Sequence, residues 1–114
     1  IIELGGNRER IAEARMAIDQ ARLLTLYAAW KMDQVGTHAA MSEIAAIKVI
    51  APRLLARVVD DAIQLHGGAG ICQDTMLPAL FAHGRMLRIA DGPDEVHKAL
   101  IAKVEIERQR SLSH

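Results

Sequence analysis

Two long stretches in which apolar residues return every third or fourth position, separated by one glycine, dominate the first two thirds of the sequence. From about Arg8 to Asp33 the series is Ile11, Ala14, Ile18, Ala21, Thr25, Ala28 and Met32, the alternating step of a helix that buries one face. Leu23, Leu26 and Trp30 widen that stripe, which predicts packing on more than one neighbour. Asn7 is the candidate N-cap, Glu9 falls in the first turn, and Gly36 is the candidate stop. Thr37 then opens a second helix to about Leu65, with a seam of Ile44, Ile47, Ala51, Leu54 and Val58 and, after a slip, Ala62 and Leu65. Pro52 lies inside it and removes one backbone hydrogen bond. The seam keeps its phase across the proline, so one bent helix is expected rather than two.

"HGGAG" at 66–70 ends this helix and is expected to form a loop. A shorter helix follows from Leu77 to Leu87, with Pro78 in its first turn. The last helix is expected to begin at Gly92-Pro93, where proline suits the first helical position. It continues through Val96, Leu100, Ile101 and Val104 to about Arg108, and the polar tail "QRSLSH" is expected to fray. No period-two stretch is long enough for a strand. The expected architecture is a single all-α domain over 1–114, an antiparallel up-and-down bundle of four main helices.

Bulk composition narrows the function. Fourteen basic residues balance fourteen acidic ones, so no net field favours nucleic acid or an anionic membrane. Aromatic residues make up 3% of the chain, too few for base-stacking surfaces. No apolar run of about 18 residues is free of charge, so no membrane span is expected. A single cysteine, Cys72, rules out an internal disulfide. The opening "IIELGGNRER" lacks the layout of a signal peptide and reads as the continuation of a longer chain.

Several residue groups carry potential chemistry. A Rossmann glycine loop needs a strand before it and a helix opening on its last glycine; "HGGAG" follows a helix, so local physics makes it a C-cap with adjacent turns. Three glycines in four residues exceed what a cap requires and would let a ligand or another subunit approach the backbone. No metal site is expected, because no glutamate has a histidine three residues later, as a di-metal bundle centre would need. His66 and His97 are read as polar contacts and Cys72 as a buried or idle thiol. Met16, Met32, Met41, Met76 and Met86 are read as core or interface fillers. Asp91, Asp94 and Glu95 crowd around Gly92-Pro93. Acidic residues at a helix N-terminus favour its dipole, which accounts for Asp94 and Glu95 better than for Asp91.

"DDAIQLHGGAGICQDTMLPALFAHGRMLRIADGPDEVHKALIAK" resembles the C-terminal all-α domain of acyl-CoA dehydrogenases, FAD flavoproteins that desaturate acyl-CoA thioesters. The upstream "RERIAEARMAIDQARLLTLYAAWKMD" resembles the first long helix of that domain. The specific parts are "AIQLHGGAGI" and "IADGPDEVHKALIAK", which match a Q-x-x-GG-x-G loop and a Y-E-G-T-x-x-I-Q segment. The subgroup it resembles is that of family members 10 and 11.

That resemblance implies a longer protein with an N-terminal helical domain and a middle β-domain that this chain lacks. It implies FAD as cofactor, an acyl-CoA substrate, a homodimer or homotetramer, and electron-transfer flavoprotein as acceptor. The implied location is cytoplasmic in a bacterium, or mitochondrial or peroxisomal in a eukaryote. Gln64, Leu65, His66, Gly67 and Gly68 match the loop that touches FAD across the family's dimer interface, and Pro93, Asp94 and Glu95 match residues near the flavin. Gly92 matches the glycine beside the thioester, and Asp91 matches the catalytic carboxylate that removes the α-proton while the β-hydrogen leaves as hydride to the flavin. Most members have glutamate at the position of Asp91, and tyrosine and threonine where this chain has Ala90 and Pro93. Aspartate is one carbon–carbon bond shorter, roughly 1.5 Å. The alternatives are a non-catalytic helical oligomerisation module, or a related acyl-CoA or nitroalkane oxidase. The segment alone is expected to be inactive, with weak or absent FAD binding.

Overall fold

A computed structural model describes residues 5–90 and 92–113; Asp91 lies outside the described residues. Four α-helices are present: α1 (Gly5–Val35), α2 (Met41–His66), α3 (Leu77–Leu87) and α4 (Asp94–Leu112). A 3-10 helix, Gly67–Ile71, follows α2 directly. Among the described residues there is no strand, so the all-α reading of the periodicity holds.

At 31 residues, α1 extends roughly 46 Å, and it sets much of the 57 Å long axis. It begins at Gly5, so Asn7 lies within the helix rather than capping it. Gly36 does stop it, with its N–H donating to the Met32 carbonyl at 2.9 Å. Residues 37–40 form a turn in which the Ala40 N–H donates to the Thr37 carbonyl, and the N-cap of α2 is Ala40 rather than Thr37. Lys31 Nζ donates to Glu43 Oε1 at 2.6 Å and ties the end of α1 to the start of α2. Further along, Ala21 and Leu24 share a groove with Ile50 and Leu54, and Ile11 and Ala14 share one with Val58 and Leu65. As the numbering falls on one helix it rises on the other, which makes the pair antiparallel.

Pro52 sits buried within α2, which is one continuous helix across it. The proline carries no N–H, so burying it leaves no donor without a partner. Among the described residues, α1, α3, α4 and the 3-10 turn each pack on α2, while α1 packs on α2 alone. The buried apolar residues therefore lie mostly on α2, at Ala45, Val49 and Val59, with Ala28 of α1 and Ala40 of the connecting turn. The broad stripe of α1 is only half used: Leu23 is 66% exposed and Trp30 57%. All five methionines are exposed, so none fills the core within this chain.

α3 spans the predicted Leu77–Leu87, with Pro78 in its first turn. Its buried Gly84 lies over Leu55 of α2, where an added Cβ would come within 3.1 Å of Leu55 Cδ2. α4 continues to Leu112, past the predicted end at Arg108, and a Ser113 N–H to Gln109 carbonyl bond closes it. The tail is thus helical through Leu112 rather than frayed. Its last residues include Arg110, a cation where the helix dipole favours one.

Candidate functional site

The predicted site residues occupy two turns at different heights along α2. Gln64, Leu65 and His66 form the last turn of α2, and Gly67 and Gly68 open the 3-10 helix. Pro93, Asp94 and Glu95 form the entry to α4, beside Arg53 at the middle of α2. Gln64 lies eleven positions after Arg53 on α2, roughly 16 Å along the helix axis. The structure therefore does not bring the two groups into one cluster within a single chain.

At the end of α2, Gly67 adopts φ +63°, a conformation that side chains disfavour, and its N–H donates to the Gln64 carbonyl. The chain then coils into the 3-10 turn rather than the open loop expected from "HGGAG". What drives this is Gly70, which is buried against α2: a Cβ there would stand 2.5 Å from the Ile63 carbonyl oxygen and 2.8 Å from Ile63 Cα. Gly67 and Gly68 are the opposite case, with no atom of the described residues within 4 Å of where a side chain would start. Gln64 is exposed, with its amide available to donate and accept. The His66 ring is spoken for on one side, since Nδ1 donates to the Ala62 carbonyl at 2.8 Å. Cys72, expected to be buried or idle, is exposed, and its thiol donates to the Gly68 carbonyl at 3.2 Å.

The entry to α4 is built differently. Pro93 is the N-cap rather than the first helical residue, so α4 begins one position later than predicted, and no side chain caps the helix. Asp94 is in the first turn, yet its carboxylate does not serve the free N–H groups. It is 3% exposed, and Oδ2 accepts from Arg88 Nε at 3.0 Å and from Arg53 Nε at 3.3 Å. Burial by itself would raise the Asp94 carboxyl, but the hydrogen bonds from Arg88 and then Arg53 more than offset it and hold the group below its ordinary range. The Asp94 N–H donates to the Arg88 carbonyl at 3.2 Å, so the turn is closed by main chain and side chain together. Glu95 beside it is exposed and free to favour the helix dipole.

Gly92 takes φ +100°, and a Cβ there would meet His97 Nε2 at 3.2 Å. His97 thus packs back over the glycine from the first turn of α4, and its Nε2 is buried without a hydrogen-bond partner among the described residues. Arg53 and Arg88 were not singled out from the sequence. Arg53 is 41 positions from Asp94, and no local spacing rule connects them.

Residues 1–106 match the family model of the acyl-CoA dehydrogenase C-terminal domain. Acyl-CoA dehydrogenase family member 11 of Rattus norvegicus is 54% identical over 99 residues, which is 87% of this chain and 13% of the relative. Family member 10 of Mus musculus is 45% identical over 109 residues, 96% of this chain and 10% of the relative. The chain thus spans only about a tenth of the length of these two relatives. Among solved structures, a Mycobacterium abscessus protein described as an acyl-CoA dehydrogenase superposes with a TM-score of 0.92 at 52% identity, covering 95% of this chain and 26% of its own. The acyl-CoA dehydrogenase of Slackia heliotrinireducens superposes with a TM-score of 0.88 at 25% identity, covering 97% of this chain and 29% of its own. A match over nearly the whole chain, with the same fold, means that the chain belongs to the acyl-CoA dehydrogenase C-terminal domain family.

Proposed function

We propose that this domain is the C-terminal part of an FAD-dependent acyl-CoA dehydrogenase, in which Asp91 removes the α-proton of an acyl-CoA thioester. The observation that carries the reading is the presence, in one chain of this family, of an open glycine turn after α2 and a second turn anchored at Arg88 and Asp94 that leads directly into α4.

The residues of the first turn suit one side of a dinucleotide. Unobstructed main chain at Gly67 and Gly68 permits close approach, and the exposed Gln64 amide supplies a donor and an acceptor. His66 and Leu65 complete that surface, and Pro93 and Glu95 line the approach to a second one, with the Asp94 carboxylate turned inward to Arg88 and Arg53. Because the two surfaces lie well apart along α2, they would serve two different flavins of a homodimer or homotetramer. When bound, FAD supplies the hydride acceptor for the β-hydrogen.

The chain's own part is proton chemistry. A carboxylate at Asp91 must be ionised at rest, and the N-terminus of α4 just downstream favours a negative charge there. Displacement of water by the acyl chain then raises its basicity when the proton must be taken. In this reading the main-chain N–H of Asp91 would donate to the thioester carbonyl, stabilising enolate character. Electron-transfer flavoprotein is the proposed electron acceptor. Exposed apolar residues on α1, among them Met16, Leu23, Tyr27 and Trp30, are the proposed contact surface for the rest of the protein and its copies.

The full-length parent is expected to be yellow and to bleach when acyl-CoA is added without oxygen. Asp91→Asn should abolish bleaching while FAD stays bound. Normal turnover in that variant would remove Asp91 as the base, and a colourless, FAD-free oligomer would favour a purely structural module. Rapid reaction of the reduced flavin with oxygen would indicate an oxidase.

A further inference from the structure

Asp94 is the one charged side chain buried among the described residues, and helix capping does not require its burial. A buried carboxylate is costly to desolvate, and an apolar residue of the same size would fill the space more cheaply. What the ion cluster adds over apolar packing is direction. Asp94 and Arg88 are joined twice, by the N–H to carbonyl bond at 3.2 Å and by Arg88 Nε to Oδ2 at 3.0 Å. This fastens the end of α3 to the start of α4 at one point. Arg53 Nε, at 3.3 Å from the same oxygen, joins that point to the middle of α2. Gly84 seats α3 closely on Leu55, two residues further along α2, so Arg88 reaches the cluster from a helix that is itself held. Arg53 and Arg88 are 42% and 34% exposed, which keeps their charge solvated while the carboxylate between them is not.

We propose that Arg53 and Arg88 are positioning residues that act through the Asp94 carboxylate to hold the end of α3 and the start of α4 together against α2, and with them the stretch of sequence that carries Asp91. Asp91 and Gly92 lie in sequence between Arg88 and Asp94, the two residues fastened in this way. The inference rests on the reading of Asp91 as the base. Because aspartate reaches less far than the glutamate common in the family, the main chain that carries it must be held closely. A misplacement near 1 Å in a reacting group costs on the order of a hundredfold in rate.

The test uses the full-length flavoprotein, with Arg53→Met, Arg53→Lys and Asp94→Asn. Anaerobic bleaching by acyl-CoA, the KM for acyl-CoA and backbone amide exchange are measured for each. Arg53→Met and Asp94→Asn are expected to keep FAD and leave KM within about twofold, while bleaching slows about ten- to a hundredfold. Exchange should quicken across residues 88–97 and stay unchanged in α1. Arg53→Lys, which keeps the charge and alters the geometry, should fall between these variants and the parent. If Arg53→Met does not fold, Arg53→Lys decides: a several-fold slowing at constant KM supports the proposal and parental bleaching overturns it. Parental bleaching in Arg53→Met, a change confined to KM, or slowed bleaching with unchanged exchange at 88–97 each overturns it. Normal turnover in Asp91→Asn would bring down the base and the positioning role together. Normal turnover in Arg53→Met beside an inactive Asp91→Asn would bring down the positioning role alone.

Discussion

The two glycine-containing turns look alike in sequence and are built on opposite principles. At 66–70, the main chain of Gly67 and Gly68 stands open, while Gly70 two residues later is pressed on the Ile63 backbone. That turn is fastened by close steric fit and leaves its outer edge bare. At the entry to α4, fastening is electrostatic: Asp94 is buried between Arg53 and Arg88, and the glycine is covered by His97 rather than open. A steric anchor tolerates no added atom but is indifferent to pH, whereas an ionic anchor tolerates a change of shape but not of charge. The difference fits their proposed roles. A cofactor surface needs bare backbone, while a segment carrying a base needs a set direction.

The comparison is broken most severely at Gly70. Gly70→Ala places a carbon 2.5 Å from the Ile63 carbonyl oxygen, and backbone on both sides must shift. A loss of about 3 kcal/mol or more is expected in urea unfolding, the upper part of the range for overpacked sites. Stability within about 0.5 kcal/mol of the parent would show that the turn is not anchored there.

Asp94→Asn comes next. It removes the charge and keeps the shape, and because both arginines are partly exposed the loss should be about 1–2 kcal/mol at neutral pH, well under that of a fully buried pair. The sign of its pH dependence follows from the lowered carboxyl. A group more acidic when folded stabilises above its ordinary value of 3.8, and that contribution is lost as pH falls through the folded value. The gap between parent and Asp94→Asn should therefore stay constant from neutrality to about pH 4 and close below it. A gap that widens on acidification would contradict the ionic anchor.

Gly68→Ala should be the mildest. Its φ lies outside the left-handed region and the space around it is open, so stability should change by less than about 0.5 kcal/mol. If the open edge receives a flavin, the same variant should weaken FAD retention in the full-length protein. Unaltered stability together with unaltered FAD retention would leave that edge without the proposed role.

Much of this was legible along the chain. The three-and-four seams predicted α1 and α2, Gly36 ended the first, and the phase kept across Pro52 marked a single helix. Leu77–Leu87 emerged at its predicted bounds because Pro78 and a compact apolar run define it locally. Ends without a strong local signal shifted: α1 passes through Asn7, α2 starts at Met41, and α4 reaches Leu112. Helix ends are decided by small differences in capping and solvation, which neighbouring contacts easily outweigh. Cys72 is not buried and the methionines do not fill this chain's core for a related reason, since an apolar residue type does not say whether a partner is at hand.

Sequence alone determined that the chain is helical, where the helices lie, and which two motifs tie it to its family, because these depend on contacts within a few residues. Only the tertiary structure decided which stripe is covered, why Gly70 must be glycine, and that Asp94 is an ionic anchor rather than a cap. Each of these depends on a partner brought close by packing on α2, as Arg53 is to Asp94 from 41 positions away. No period or motif encodes such a distance, since it exists only once the helices have met.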